Sequence, residues 1–126
     1  VHGIRTKGEW QQKLEELVEN ELENTILINY KYNYLSATSL LFSWSRDKTV
    51  DGFNSRILFE LNKFPEARVT FIAHSFGTYI VGMFLKLLPI NTDFTVERVI
   101  FVNSVLKENF DWNEIRKTTA IGSIIN

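Results

Sequence analysis

The change of hydrophobic period at Ser75 constrains the fold of this chain more than any other feature. Over Arg68–His74, Val69, Phe71 and Ile72 make a short β-branched and aromatic run that suits a buried strand. Over residues 76–88 the pattern changes to a helix, with Tyr79, Ile80, Met83, Phe84 and Leu87 expected on its buried side, until Pro89 closes the segment. A strand that gives way to a helix across one residue is the first half of a βα unit, and such units build parallel sheets.

The same alternation runs through the rest of the sequence. Residues 97–103 and 120–125 read as two further strands, and between them Asp111 and Glu114 have the spacing of a capping box ahead of Trp112 and Ile115. Upstream, Thr6 and Glu9 form another such box, so a helix should begin near Lys7, with Trp10, Leu14, Leu17, Val18 and Leu22 on its apolar face. Its opposite face carries Glu15, Glu19 and Glu23, a stripe that suits a solvated surface better than a cation site.

Residues 25–30 predict a buried strand. Tyr30, Tyr32 and Tyr34 then share one face, either packed at a sheet end or lining a substrate wall. Residues 35–47 read as a loop. A second amphipathic helix is expected through Val50, Phe53, Ile57, Leu61 and Phe64, with Pro65 as its stop. The expectation is an α/β fold, a three-layer sandwich with a mostly parallel sheet covered on both faces, in one domain spanning residues 1–126 without repeats or linkers.

Composition narrows the functional classes. With 14 basic and 15 acidic side chains the net charge is -1, which supplies no field for nucleic acid or an anionic membrane. Arg5, Lys7, Arg46, Lys48 and Arg68 are scattered and do not interleave with aromatic residues as a nucleic-acid surface would. The absence of cysteine removes disulfides, thiol catalysis and thiolate metal sites, and two histidines are too few for a histidine-based metal cluster. No metal and no cofactor are implied. Gly3 and Gly8 have the glycine spacing of a phosphate loop, but Glu9 stands where its lysine belongs, and no dinucleotide-binding glycine motif is present. No apolar run approaches the roughly 18 residues of a membrane span, and no signal peptide is visible, so the reading leans to the cytoplasm.

Chemistry is expected at the junction itself. Ala73-His74-Ser75-Phe76-Gly77 follows the nucleophile-elbow pattern, in which a sharp turn strains the serine and requires small residues two positions to either side. Ala73 departs from the usual first glycine by one methyl group, and Gly77 matches the second. Ser75 therefore reads as a nucleophile at the carboxyl end of a parallel strand, facing the crevice where such sheets bind ligands. The plainer alternative is a serine that only caps the following helix.

Together with His2-Gly3 roughly 70 residues upstream, the elbow resembles the α/β-hydrolase superfamily. The stretch His2-Gly3-Ile4-Arg5-Thr6, followed by Gly8 and Trp10, is similar to bacterial esterase and lipase-like members. The resemblance implies that the amides of Phe76 and Ile4 form the oxyanion hole, with His2 and Gly3 as its loop motif and His74 and Gly77 as structural members of the elbow. It also implies a partial domain, lacking the first strands and the C-terminal segment with the acid and histidine. No histidine follows Ser75 in this sequence, so neither His74 nor His2 suits the role of general base. Asp111 is weighed as the acid, and its spacing to Glu114 favours a helix cap instead.

The function expected is that of a serine hydrolase core acting on carboxylic esters or related small acyl substrates, with its acid and base supplied from downstream. Residues 1–126 alone should then have little activity. The alternative is a noncatalytic binding or interaction domain that retains the hydrolase fold. Oligomeric state is not specified by the sequence.

Overall fold

In chain order the elements are helix α1 (Glu9–Glu21), helix α2 (Ser43–Leu61), strand β1 (Arg68–His74), helix α3 (Phe76–Leu87), strand β2 (Thr95–Val102), helix α4 (Trp112–Thr118) and strand β3 (Ile121–Ile125). The structure is a computed structural model that describes residues 1, 9–30, 43–89, 92–119 and 121–125. Among the described residues the three strands are parallel and lie in the order β1-β2-β3, with α3 and α4 as the crossovers. The chain is therefore an α/β protein, as its alternating pattern predicts.

One face of the sheet carries the core. Phe71 and Ala73 of β1 pair with Val99 and Phe101 of β2, and all four are buried. Against them Phe53 of α2 and Phe84 of α3 meet Phe71 edge-on, with ring centroids 5.3 Å apart for Phe53 and Phe84 and 5.5 Å for Phe71 and Phe84. Burying each such side chain stabilises the fold by about 1.5–3 kcal/mol, and favourable ring geometry adds about 0.5–1.5 kcal/mol per pair. Helix α4 closes the same face through buried Ile115 and through Trp112, which lies 5.6 Å from the Phe101 ring. On the opposite face Ile72, His74 and Ile100 are half-buried and Val102 is exposed.

A bulge sets the register. Val69 pairs with Val96 but Thr70 pairs with Arg98, so Glu97 is an extra residue on β2. Through this insertion Val96 and Val99 both reach the core face, although strict alternation would separate them. The bulged backbone also explains Gly122, because a Cβ there would lie 2.5 Å from the Glu97 carbonyl oxygen. Only glycine lets β3 approach β2 this closely.

Most boundaries follow local chemistry. Leu88 leaves the helical region at ψ 134°, as a residue before Pro89 must, and β2 ends at Val102 because Asn103 turns to a left-handed φ of 49°. Asp111 caps α4 by accepting a hydrogen bond from the Glu114 amide at 2.9 Å.

Two segments differ from the sequence expectation. Residues 25–30 form no strand. Their alternate side chains Ile28 and Tyr30 pack against the core, Tyr30 edge-on to Phe53 at 4.8 Å, without any backbone ladder. Nearby, the Asn29 side chain donates to Glu15 at 2.6 Å, so one member of the carboxylate stripe binds a neighbour rather than solvent alone. Residues 43–47, expected in a loop, belong to the start of α2. Ser45 is buried there and its carbonyl accepts the Thr49 hydroxyl at 2.8 Å, a polar packing position that hydrophobic periodicity does not register. At its other end α2 stops at Leu61, short of the expected Phe64.

Tyr32 and Tyr34, the expected loop over residues 35–42, and Thr6 of the first capping box lie outside the described residues. Among the described residues no helix is long and apolar enough to cross a membrane.

Candidate active site

Ser75 occupies the single residue between β1 and α3, at φ 54° and ψ −126°. For a residue with a Cβ this backbone region is strained by about 1–3 kcal/mol, a cost that persists only where the surroundings fix the turn. The surroundings do so from both sides. The Ser75 amide donates to the Val102 carbonyl of β2 at 3.0 Å, and the Ser75 carbonyl accepts from the Thr78 amide at 2.9 Å and the Thr78 hydroxyl at 2.7 Å. Although Ser75 stands at the N-cap position of α3, its side chain makes no capping hydrogen bond. A serine serving only as a cap would use its side-chain oxygen in that way and would not need a positive φ.

The small neighbours fit the turn. Ala73 and Gly77 are both buried, and Phe76 is buried with its ring stacked on Tyr79 at 5.4 Å. Strand alternation places His74 on the face opposite Ala73. Its Nε2 lies 3.3 Å from the Asn103 Nδ2. For the amide to donate, the imidazole must accept on Nε2 and carry its proton on Nδ1. His74 is thus engaged with the end of β2, in keeping with a structural place in the elbow.

Val1 brings a second part of the chain to the same end of the sheet. Its nitrogen donates to the Ile72 carbonyl at 2.7 Å and its carbonyl accepts from the His74 amide at 3.0 Å. That alternation is the bonding pattern of a parallel ladder, with Val1 beside Ala73 on the side of β1 away from β2. His2, Gly3 and Ile4, expected to form the oxyanion loop, lie outside the described residues. The residue immediately before them is held next to the elbow.

Two residues that the sequence motif does not mark, Thr78 and Asn103, complete this end of the sheet. Thr78 is fully buried, and its hydroxyl also accepts from the Val105 amide at 3.1 Å and lies 3.4 Å from the Ser104 hydroxyl. Asn103 meets His74 from a left-handed turn. The only sequence signals for them are the three-residue spacing from Ser75 to Thr78 and the tolerance of asparagine for positive φ. Asp111, weighed as a catalytic acid, is placed as the cap of α4.

Among the described residues no group of three or more His, Cys, Asp or Glu side chains is placed to hold a metal ion. No protein-family model, no curated protein and no solved structure matches the chain. The chemistry at Ser75 is accordingly drawn from local geometry. A strained serine at the carboxyl end of a parallel strand, beside the positive end of a helix dipole, is an arrangement suited to nucleophilic attack and to stabilising the anion that follows.

Proposed function

We propose that this chain is the partial core of an α/β-hydrolase, a serine hydrolase acting on carboxylic esters or related acyl substrates. The observation that carries the reading is the backbone of Ser75, at φ 54° and ψ −126° between β1 and α3 with no capping bond from its side chain. A strained turn of this kind lifts the hydroxyl out of the helix end and towards the crevice. The bridge from Val1 to Ala73 adds support, because it brings the chain to the elbow directly before His2-Gly3-Ile4.

In the proposed reaction the Ser75 Oγ attacks the acyl carbonyl carbon. A C–O bond forms, the carbonyl π pair moves to oxygen, and the hydroxyl proton passes to a histidine base supplied from outside residues 1–126. The amides of Phe76 and Ile4 hold the oxyanion, and loss of one such donor typically lowers turnover about 10²- to 10³-fold. Collapse of the tetrahedral intermediate expels the alcohol, which takes up the proton from that base. Water, giving a proton to the same base, then attacks the acyl-serine carbonyl. The acyl C–Oγ bond breaks, the carboxylic acid leaves and the proton returns to Ser75 Oγ. The proposed sandwich requires a third layer over the sheet face of Ile72, Ile100 and Val102, and α1 leaves Leu17 and Leu22 of its expected apolar face exposed.

The test is hydrolysis of short-chain nitrophenyl esters by the full-length protein that carries this chain. The reading expects turnover that Ser75→Ala removes. Turnover retained by that variant, or absent from the folded wild-type protein, counts against it.

A further inference from the structure

We infer that Thr78 is a positioning residue, whose hydroxyl locks the strained turn at Ser75 to the loop that follows β2. The consequence for reactivity rests on the nucleophilic reading of Ser75; the lock itself does not.

Three contacts converge on one buried side chain, and a fourth comes from its backbone. The Thr78 hydroxyl donates to the Ser75 carbonyl at 2.7 Å, accepts from the Val105 amide at 3.1 Å, and lies 3.4 Å from the Ser104 hydroxyl. The backbone amide of Thr78 adds a second donor to the Ser75 carbonyl at 2.9 Å. Ser104 in turn accepts from the Leu106 amide at 3.3 Å, and Leu106 rests on α3 so closely that a Cβ at Gly82 would lie 3.0 Å from its Cδ1. The loop over residues 104–106 is therefore wrapped around the Thr78 hydroxyl and seated on the helix that carries it.

This arrangement addresses the strain at Ser75 from the carbonyl side. The amide of Ser75 is fixed by the Val102 carbonyl at the end of β2, and the carbonyl is fixed by Thr78. With both peptide groups anchored, the serine has little freedom to relax towards an ordinary helical or extended conformation. A valine would fill the same volume but offer no hydrogen bond. It would leave the Val105 amide without its partner and the Ser75 carbonyl with one donor fewer. Misplacement of a reacting group by about 1 Å can cost on the order of 10²-fold in rate, so a loosened turn should be visible in the reactivity of Ser75.

The experiment compares wild type, Thr78→Val and Thr78→Ser in the full-length protein, with two readouts. Amide hydrogen exchange at Val105 reports the lock; the rate of covalent labelling of Ser75 by a fluorophosphonate reports its effect on the serine. The expected result is a protected Val105 amide in wild type and Thr78→Ser. In Thr78→Val protection is lost and labelling slows on the order of 10- to 10²-fold, while Thr78→Ser labels near the wild-type rate. A folded Thr78→Val protein that labels as fast as wild type overturns the proposal, as does a wild-type Val105 amide that exchanges like open loop. Should Thr78→Val fail to fold, exchange in wild type and Thr78→Ser still decides: protection in both supports the lock, and an unprotected amide in either rejects it. If wild type is not labelled at all, the nucleophilic reading falls, and the exchange measurement judges the lock on its own.

Discussion

Val1 and Ala73 stand side by side as partners of a parallel ladder, the Val1 nitrogen donating to the Ile72 carbonyl at 2.7 Å and the Val1 carbonyl accepting from the His74 amide at 3.0 Å. Ala73 is fully buried between this contact and Phe101 of β2, its partner on the other side. The strained turn at Ser75 thus forms with alanine two residues before it, and the methyl group of Ala73 is accommodated in the core.

Restoring the glycine should therefore bring no benefit. Ala73→Gly removes a buried methyl group and loosens a strand interior, so it is expected to lower stability by about 0.5–1 kcal/mol or more. Denaturant unfolding measures the loss, and the labelling rate of Ser75 should not rise above wild type. A faster rate in this variant would mean that the alanine distorts the turn.

Strain at Ser75 makes a prediction of opposite sign. Glycine adopts positive φ without the steric cost that a Cβ brings, so Ser75→Gly should be more stable than Ser75→Ala by about 1 kcal/mol or more. Paired denaturation curves of the two variants give the difference directly. Equal stabilities would show that the turn is relaxed.

Reading the chain from sequence succeeded where one local rule dominates. Strand β1 has its alternating apolar residues and Asp111 with Glu114 has the spacing of a cap, and both appear as expected. Helix α3 also forms and ends before Pro89, but its core stripe is rotated, with Val81 and Leu85 buried beside Ile80 and Phe84 while Leu87 is exposed. Residues 25–30 have the β-branched and aromatic composition of a buried strand, but Ile26 and Leu27 are exposed and only Ile28 and Tyr30 pack partly on the core, a role that the same composition serves without a ladder. The first turn of α2 escapes hydrophobic periodicity in part because Ser45, buried there, is polar. At the site, the motif located Ser75 but not Thr78 or Asn103, whose roles depend on contacts between segments far apart in sequence.

Asp111 offers a clean separation of structural and catalytic roles. Its carboxylate accepts from the Glu114 amide at 2.9 Å and caps α4. Asp111→Ala should cost about 1 kcal/mol in stability while leaving labelling of Ser75 unchanged. A loss of labelling in a folded variant would reassign it to the reaction.

Glu60 links stability to pH. The side-chain hydrogen bond from Lys63 at 2.6 Å is the largest influence holding its carboxyl below the usual range; desolvation opposes it, and the charges of Arg56 and Lys63 reinforce it. A carboxyl depressed in the folded state contributes stability that is present above its unfolded pKa of about 4.3 and is lost as pH falls through the folded value. Wild type should therefore be more stable than Glu60→Gln at neutral pH, and the gap should close on acidification below that range. A gap that persists at low pH would rule out the ionised carboxylate as its source.

The most direct test of the central claim is covalent. The full-length protein should be treated with a fluorophosphonate probe and the modified residue mapped by peptide mass spectrometry. The account predicts a single adduct on Ser75, abolished in Ser75→Ala and retained in Asp111→Ala. No adduct on the folded wild-type protein, or labelling that survives Ser75→Ala, would contradict it.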